Sequence, residues 1–266
     1  MLISEIISAI ESYAPLRLQE SYDNCGLLVG NPSEECSGVV LCVDVNSERV
    51  AEAVALGCNL IVSHHPLIFR GLKSLTGATE VERTVAAAIK SGVAIYACHT
   101  SLDNAPGGVS AEMARMLGLA DCRVLVAHPS ANGSDSPAAG LGIIGRLREP
   151  MTPYALAQLT KTTFGSPIAR CSSYPADSLI TTVALCSGSG ASFIGDARKA
   201  GAQAYITSDT KYHDFADCAN EIFIIDIGHY ESEKCTTAIF KRVISEKFPN
   251  FAVHISQTES NPINYI

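Results

Sequence analysis

Two adjacent imidazoles, His64 and His65, stand where the apolar run Asn59-Leu60-Ile61-Val62 breaks off before Pro66. A short apolar run bounded by a turn signal reads as a buried parallel strand, and proline cannot continue its ladder. Both histidines therefore belong at the strand's C-terminal edge, where α/β proteins place ligands. Successive side chains of an extended segment point to opposite sides, so the pair can serve two neighbouring centres. Asp103 lies in a second turn of this kind, His99-Thr100-Ser101-Leu102-Asp103-Asn104-Ala105-Pro106-Gly107-Gly108, which follows the strand-like run Val93 to Ala97. A third follows Ile222 to Ile225, where Asp226-Ile227-Gly228-His229-Tyr230-Glu231-Ser232-Glu233 sets His229 and Glu233 four apart, on one face of any helix that starts there. Imidazole and carboxylate without thiolate suit zinc, iron, manganese or cobalt. Taken singly, each residue has a plainer reading: a core histidine satisfied by backbone, an aspartate in an Asx-turn or cap, glutamates favouring a helix N-terminus.

The elements that must hold these turns alternate between strand and helix. Leu2, Ile3, Ile6, Ile7 and Ile10 recur at helical spacing, and Pro15 marks the stop. Ser21 to Gly30 reads as a polar turn feeding a short strand, with Asp23 and Asn24 bonded to nearby backbone. Val39 to Val43 is a β-branched run; Ser47 is expected to cap a helix through Val54 that Gly57 ends, before the strand into His64. Thr79-Glu80-Val81-Glu82 has the capping-box pattern ahead of a helix to Lys90, a further helix runs through Leu117, and Thr152-Pro153 opens another.

An internal repeat orders the whole. At an offset of 144 residues Leu41-Cys42 matches Leu185-Cys186, Gly57 matches Gly201, and Leu60-Ile61-Val62-Ser63 falls on Ala204-Tyr205-Ile206-Thr207 without a gap. The fold class expected is α/β, two similar lobes from a duplication with a metal site in the cleft between them. The expected boundaries are residues 1–128 for the first lobe, 129–139 for a small, polar loop or linker, and 140–266 for the second lobe.

Composition narrows the function. Of 266 residues 47% are apolar, enough for a core, and 19 basic against 27 acidic residues give a net charge of −8 without a Lys/Arg cluster. Nucleic-acid binding is disfavoured. The apolar N-terminus carries Glu5 and Glu11 and no basic n-region, so it reads as a helix rather than a signal, and no membrane-spanning run follows. Ten cysteines without a C-x-x-C pair are expected as reduced apolar residues of a cytoplasmic protein, not as disulfides or a thiolate zinc site.

The segments SHHPLIF, HTSLDNAPGGV and GHYESE, with YDNCGLLVG near the start, resemble the Nif-three-like family, known as GTP cyclohydrolase I type 2 homologues, over nearly the whole chain. The resemblance implies that His64, His65, Asp103, His229 and Glu233 bind two divalent ions per subunit, and that the subunits form a toroidal homohexamer. It assigns no catalytic residue and no organic cofactor. The family's W-D-N element appears as Tyr22-Asp23-Asn24, in a chain with no tryptophan. Five ligands shared by two ions leave open positions, the mark of a catalytic site. The activity implied is metal-dependent hydrolysis of a small molecule, with GTP ring opening and loss of formate as its named form. A phosphohydrolase and a non-catalytic metal-binding scaffold or regulator are the alternatives. His99 is expected to support a ligand by hydrogen bonding, and Arg70, Lys73 and Lys211 to face the charge of a nucleotide substrate.

Overall fold

The structure is a computed structural model that describes residues 1–129 and 139–266. In chain order the first elements are α1 (Ile3–Tyr13), β1 (Gly26–Val29), β2 (Val39–Cys42), α2 (Ser47–Ala55), β3 (Leu60–Ser63), α3 (Glu80–Ser91), β4 (Ala94–Ala97) and α4 (Thr100–Asp103). There follow α5 (Val109–Leu117), β5 (Ala120–Ala127), β6 (Gly140–Met151), α6 (Pro153–Phe164), β7 (Arg170–Cys171), β8 (Ile180–Leu185), α7 (Ile194–Lys199) and β9 (Ala204–Thr207). The last are α8 (Tyr212–Asp217), β10 (Phe223–Asp226), α9 (His229–Glu233), α10 (Thr236–Lys247) and β11 (Val253–Ile255).

The chain divides into two compact units, Met1–Ala105 with Thr236–Ser260, and Pro106–Cys235 with Asn261–Ile266. These limits differ from the contiguous lobes read from the sequence, because β11 returns to pair in parallel with β2, carrying α10 with it. The expected linker falls almost entirely on residues 130–138, outside the described residues.

In the first unit five strands run in the order β1-β4-β3-β2-β11, parallel except for β1. Every residue of β2, β3 and β4 is buried, as expected of parallel strands covered on both faces. Val40, Ile61 and Ile95 pack with Val50 and Ala53 of α2 and with Val85 and Ala88 of α3. The cap of α2 is Asn46, whose Oδ1 accepts the N–H groups of Glu48 and Arg49 at 3.0 and 3.1 Å; Ser47, the expected cap, is already helical. Thr79 caps α3 through Glu82 N–H at 3.2 Å. The Glu82 carboxylate turns instead to Thr76 and Ala78, tying down the preceding loop.

The second unit has a six-stranded sheet, order β5-β6-β8-β9-β10-β7, in which β8, β9 and β10 are parallel. One face buries Val183, Leu185, Ile206 and Ile225 with Leu156 and Phe164 of α6; the other buries Ala184, Tyr205 and Ile224 with Ile194 and Ala197 of α7. The repeat is thus structural: β2-α2-β3-β4 and β8-α7-β9-β10 each hold a parallel triplet, with Leu41 and Leu185 in β2 and β8 and with Leu60–Ser63 and Ala204–Thr207 forming β3 and β9. Among the described residues no helix is long and apolar enough to cross a membrane, and none of the ten cysteines forms a disulfide.

Candidate metal centre

In the first unit the register aligns Cys42 with Ser63 and Ser63 with Ala97, so β2, β3 and β4 end at one level. The residues just beyond them gather along one sheet edge: Asp44 after β2, His64 and His65 after β3, His99 after β4. His64 is completely buried, and its Nδ1 lies 3.1 Å from the carbonyl oxygen of Cys98. His65 Nδ1 lies 2.8 Å from Asp44 Oδ1, and His99 Nδ1 lies 2.9 Å from Asp23 Oδ1. A carbonyl or a carboxylate can only accept, so each Nδ1 carries a proton and Nε2 is the nitrogen left to act as a ligand. The rings are close, with centroids 5.0 Å apart for His64 and His65, and 5.2 and 5.3 Å from these two to His99. One nitrogen from each of the three lies within 4.8 Å of the others. Asp103 ends α4, and its Oδ1 stands 3.8 Å from His64 Nε2. Two donors on one ion, each about 2.0–2.2 Å from it, stand roughly 3–4 Å apart.

Asp23 does more than bond to its local backbone. Besides His99 it accepts the N–H of Thr100 at 3.0 Å, the Thr100 hydroxyl, and the Cys25 thiol at 3.1 Å. Burial opposes its charge, but the bonds from His99 and Thr100 outweigh burial and hold the carboxyl far below the usual carboxylate range. Burial pushes the Cys25 thiol up to about 11, and that of Cys98 higher still. Both remain thiols at neutral pH, and the donors of this edge are nitrogen and oxygen.

In the second unit His229 opens α9 and Glu233 closes it, one turn apart, with His229 Nε2 3.0 Å from Glu233 Oε2. His229 Nδ1 lies 2.7 Å from Asp209 Oδ2, the pairing already made by His65 with Asp44. Burial lowers the His229 pKa, but Glu233 and Asp209 outweigh it and raise the ring to about 9. Glu233 is only 3% exposed, and Gly188 makes its room: a Cβ there would overlap Glu233 Oε1 and stand 3.2 Å from its Cδ. Gly188 lies in Cys186-Ser187-Gly188-Ser189-Gly190, a glycine-rich loop after β8 of the kind that elsewhere cradles phosphate. Here the N–H groups of Ser187, Gly188 and Gly190 donate to the hydroxyls of Ser110, Ser232 and Thr207, which fixes the loop with Gly188 against Glu233.

The repeat shows how the two edges diverged. At the 144-residue offset Asp209 takes the place of His65, and Gly188 the place of Asp44. Where the first copy has a carboxylate and then an imidazole, the second has a glycine and then a carboxylate. That carboxylate, at φ +55° in a conformation Asp tolerates better than most residues, serves a histidine from the third strand end. Of the sequence candidates, His64, His65 and Asp103 stand together in the first unit and His229 and Glu233 in the second. His99 lies beside His64 and His65, and its partner Asp23 carried a signal only as part of the Tyr22-Asp23-Asn24 element. Asp44, Asp209 and Gly188 were missed. Arg70, Lys73 and Lys211 are exposed.

The family model described as Duf34/NIF3 (NGG1p interacting factor 3) matches residues 1–262. The chain belongs to the NIF3 family. A relative from Clostridium perfringens, called GTP cyclohydrolase 1 type 2 homolog, is 35% identical over 236 residues, covering 88% of this chain and 87% of its own. One of the same name from Streptococcus pneumoniae is 32% identical with both chains fully covered. Among solved structures, a Bacillus cereus protein related to NIF3 superposes with a TM-score of 0.92 at 26% identity, over 100% of this chain and 99% of that one. The two-unit α/β architecture is therefore that of the NIF3 family, and the groups described are ones that can bind a metal.

Proposed function

We propose that the protein is a metal-dependent hydrolase of a small molecule, with His64, His65, Asp103, His229 and Glu233 together holding two divalent ions. The observation that carries this reading is the shared support of the imidazoles. His64, His65 and His229 each place Nδ1 against an oxygen acceptor, so that Nε2 is the nitrogen that would face an ion, and at His229 an ion would take the place of the Nε2 proton that Glu233 favours. The donor set, imidazole and carboxylate with the nearby thiols held protonated, fits zinc, iron, manganese or cobalt.

Two divalent ions at such a site would lower the pKa of bound water and offset charge on the attacked and the leaving oxygen. The protein's own part is positional. Cys98 O, Asp44 and Asp209 orient the imidazoles, Gly188 admits Glu233, and Asp23 fixes the direction of the His99 ring. The relatives' name makes ring opening of a guanine nucleotide the first activity to test, in a cytoplasmic homo-oligomer that the resemblance makes a hexamer.

The experiment is metal analysis after purification without chelator, then a screen of nucleotides and phosphate esters with zinc, iron, manganese and cobalt in turn. Two ions per chain, and formate release from GTP that Asp103→Ala abolishes, are expected. Phosphate release with GTP untouched would replace ring opening by phosphoester hydrolysis. No turnover with any metal would make the protein a metal-binding scaffold or regulator.

A further inference from the structure

One short stretch of tail beyond β11 bonds to the supports of both ligand groups. Glu259 Oε1 accepts the backbone N–H of Val43 at 2.7 Å and of Asp44 at 2.9 Å, across more than two hundred residues of chain. Val43 is completely buried, so its N–H must find a partner, and a carboxylate is a strong one. Two consecutive N–H groups on one oxygen fix the peptide planes on either side of Val43 and so the direction in which Asp44 leaves the strand end. Asp44 in turn receives His65 Nδ1 at 2.8 Å. Two residues further, Asn261 Nδ2 donates to Glu231 Oε1 at 2.8 Å. Glu231 is 5% exposed and sits in the α9 turn between His229 and Glu233. The tail is itself anchored upstream, where Glu52 accepts Gln257 N–H at 2.7 Å and the hydroxyls of Ser256 and Thr258 at 2.5 and 2.8 Å.

We infer that Glu259 and Asn261 are positioning residues, Glu259 setting the tautomer and direction of His65 through Asp44, and Asn261 holding the His229–Glu233 turn through Glu231. The inference rests on the metal-binding reading for its consequence, but its geometry can be tested apart from it. In the full-length, metal-free protein, ¹⁵N shifts of the His65 ring should show Nδ1–H in the wild type and in Glu259→Gln, whose carbonyl oxygen can still accept both N–H groups. Mixed tautomers are expected in Glu259→Ala and Asp44→Ala.

Competition with a chromophoric chelator for zinc or cobalt should then show Glu259→Ala and Asn261→Ala weakened about 10-fold or more, with Glu259→Gln close to wild type. Asp44→Ala/Glu259→Ala should be no weaker than Asp44→Ala alone, because both changes act on one imidazole. A purely structural role for Glu259 would lower the melting temperature, leave tautomer and affinity unchanged, and add fully to Asp44→Ala; that result overturns the inference. A wild type that binds no divalent ion, yet loses the His65 tautomer in Glu259→Ala, would remove the metal reading and leave the positioning role intact.

Discussion

Gly188→Ala separates room for a ligand from backbone strain. Gly188 has φ +58°, where a residue with a Cβ costs about 1–2 kcal/mol. At roughly 2–4 °C per kcal/mol for a protein of this size, strain alone lowers the melting temperature by about 2–8 °C. The added methyl also overlaps Glu233 Oε1 and lies 3.5 Å from His229 Cε1. Glu233 is buried, so its carboxylate can clear the methyl only by turning away from His229 Nε2. A metal ligand turned out of place costs on the order of 10–100-fold in affinity. Gly201→Ala is the control: φ is +85° and nothing lies within 4 Å of the added Cβ, so it carries strain without the overlap. Thermal melts and chelator competition on both variants should show similar destabilisation, with weakened metal binding only for Gly188→Ala. Equal metal affinity in the two would refute the argument that Gly188 exists to seat Glu233.

Asp209→Ala should weaken metal binding about 10–100-fold through loss of the Nδ1 partner of His229, while Asp209→Asn, which keeps an accepting oxygen, should lose less; isothermal titration with zinc distinguishes them. Burial raises the Glu52 pKa, but the bonds from Gln257, Ser256 and Thr258 outweigh burial and depress it. A depressed carboxylate stabilises above its unfolded pKa, about 4.3, and that contribution is lost as the pH falls below it. The protection of the Gln257 amide, its exchange rate relative to the intrinsic rate at each pH, should fall in acid, and in Glu52→Ala it should be lost at every pH. Phe164→Ala empties a site 1% exposed in the second unit's core and should cost about 3–5 kcal/mol in urea unfolding; a loss under about 1 kcal/mol would mean the core refills the space.

Much of this architecture was legible before any coordinates, because the signals were local. Apolar runs ending in polar turns located β3, β4 and β10, and equal spacing across 144 residues located the duplication. Legibility failed where a residue's role depends on a partner that only strand register supplies. Asp23, Asp44 and Asp209 are 76, 21 and 20 positions from the imidazoles they hold, and each sits in a turn where aspartate has a sufficient local explanation. The unit limits escaped for the same reason: that Thr236–Ser260 belongs with the first sheet follows from β11 pairing with β2, which no local pattern announces. Even the cap of α2 turned on geometry, since Asn46 and Ser47 are both good caps by type and only Asn46 has the extended backbone the position needs.

The duplication joins the two kinds of signal. A sheet whose parallel strands end at one level offers a row of neighbouring turns, and copying it offers two such rows. Each row sets a carboxylate against an imidazole from the adjacent strand end, first to second in the first copy (Asp44 and His65) and second to third in the second (Asp209 and His229). What the copies share is therefore the edge rather than the residues on it. For that reason the repeat points to the strand ends, while the hydrogen bonds from Nδ1 show which carboxylates stand behind the imidazoles there.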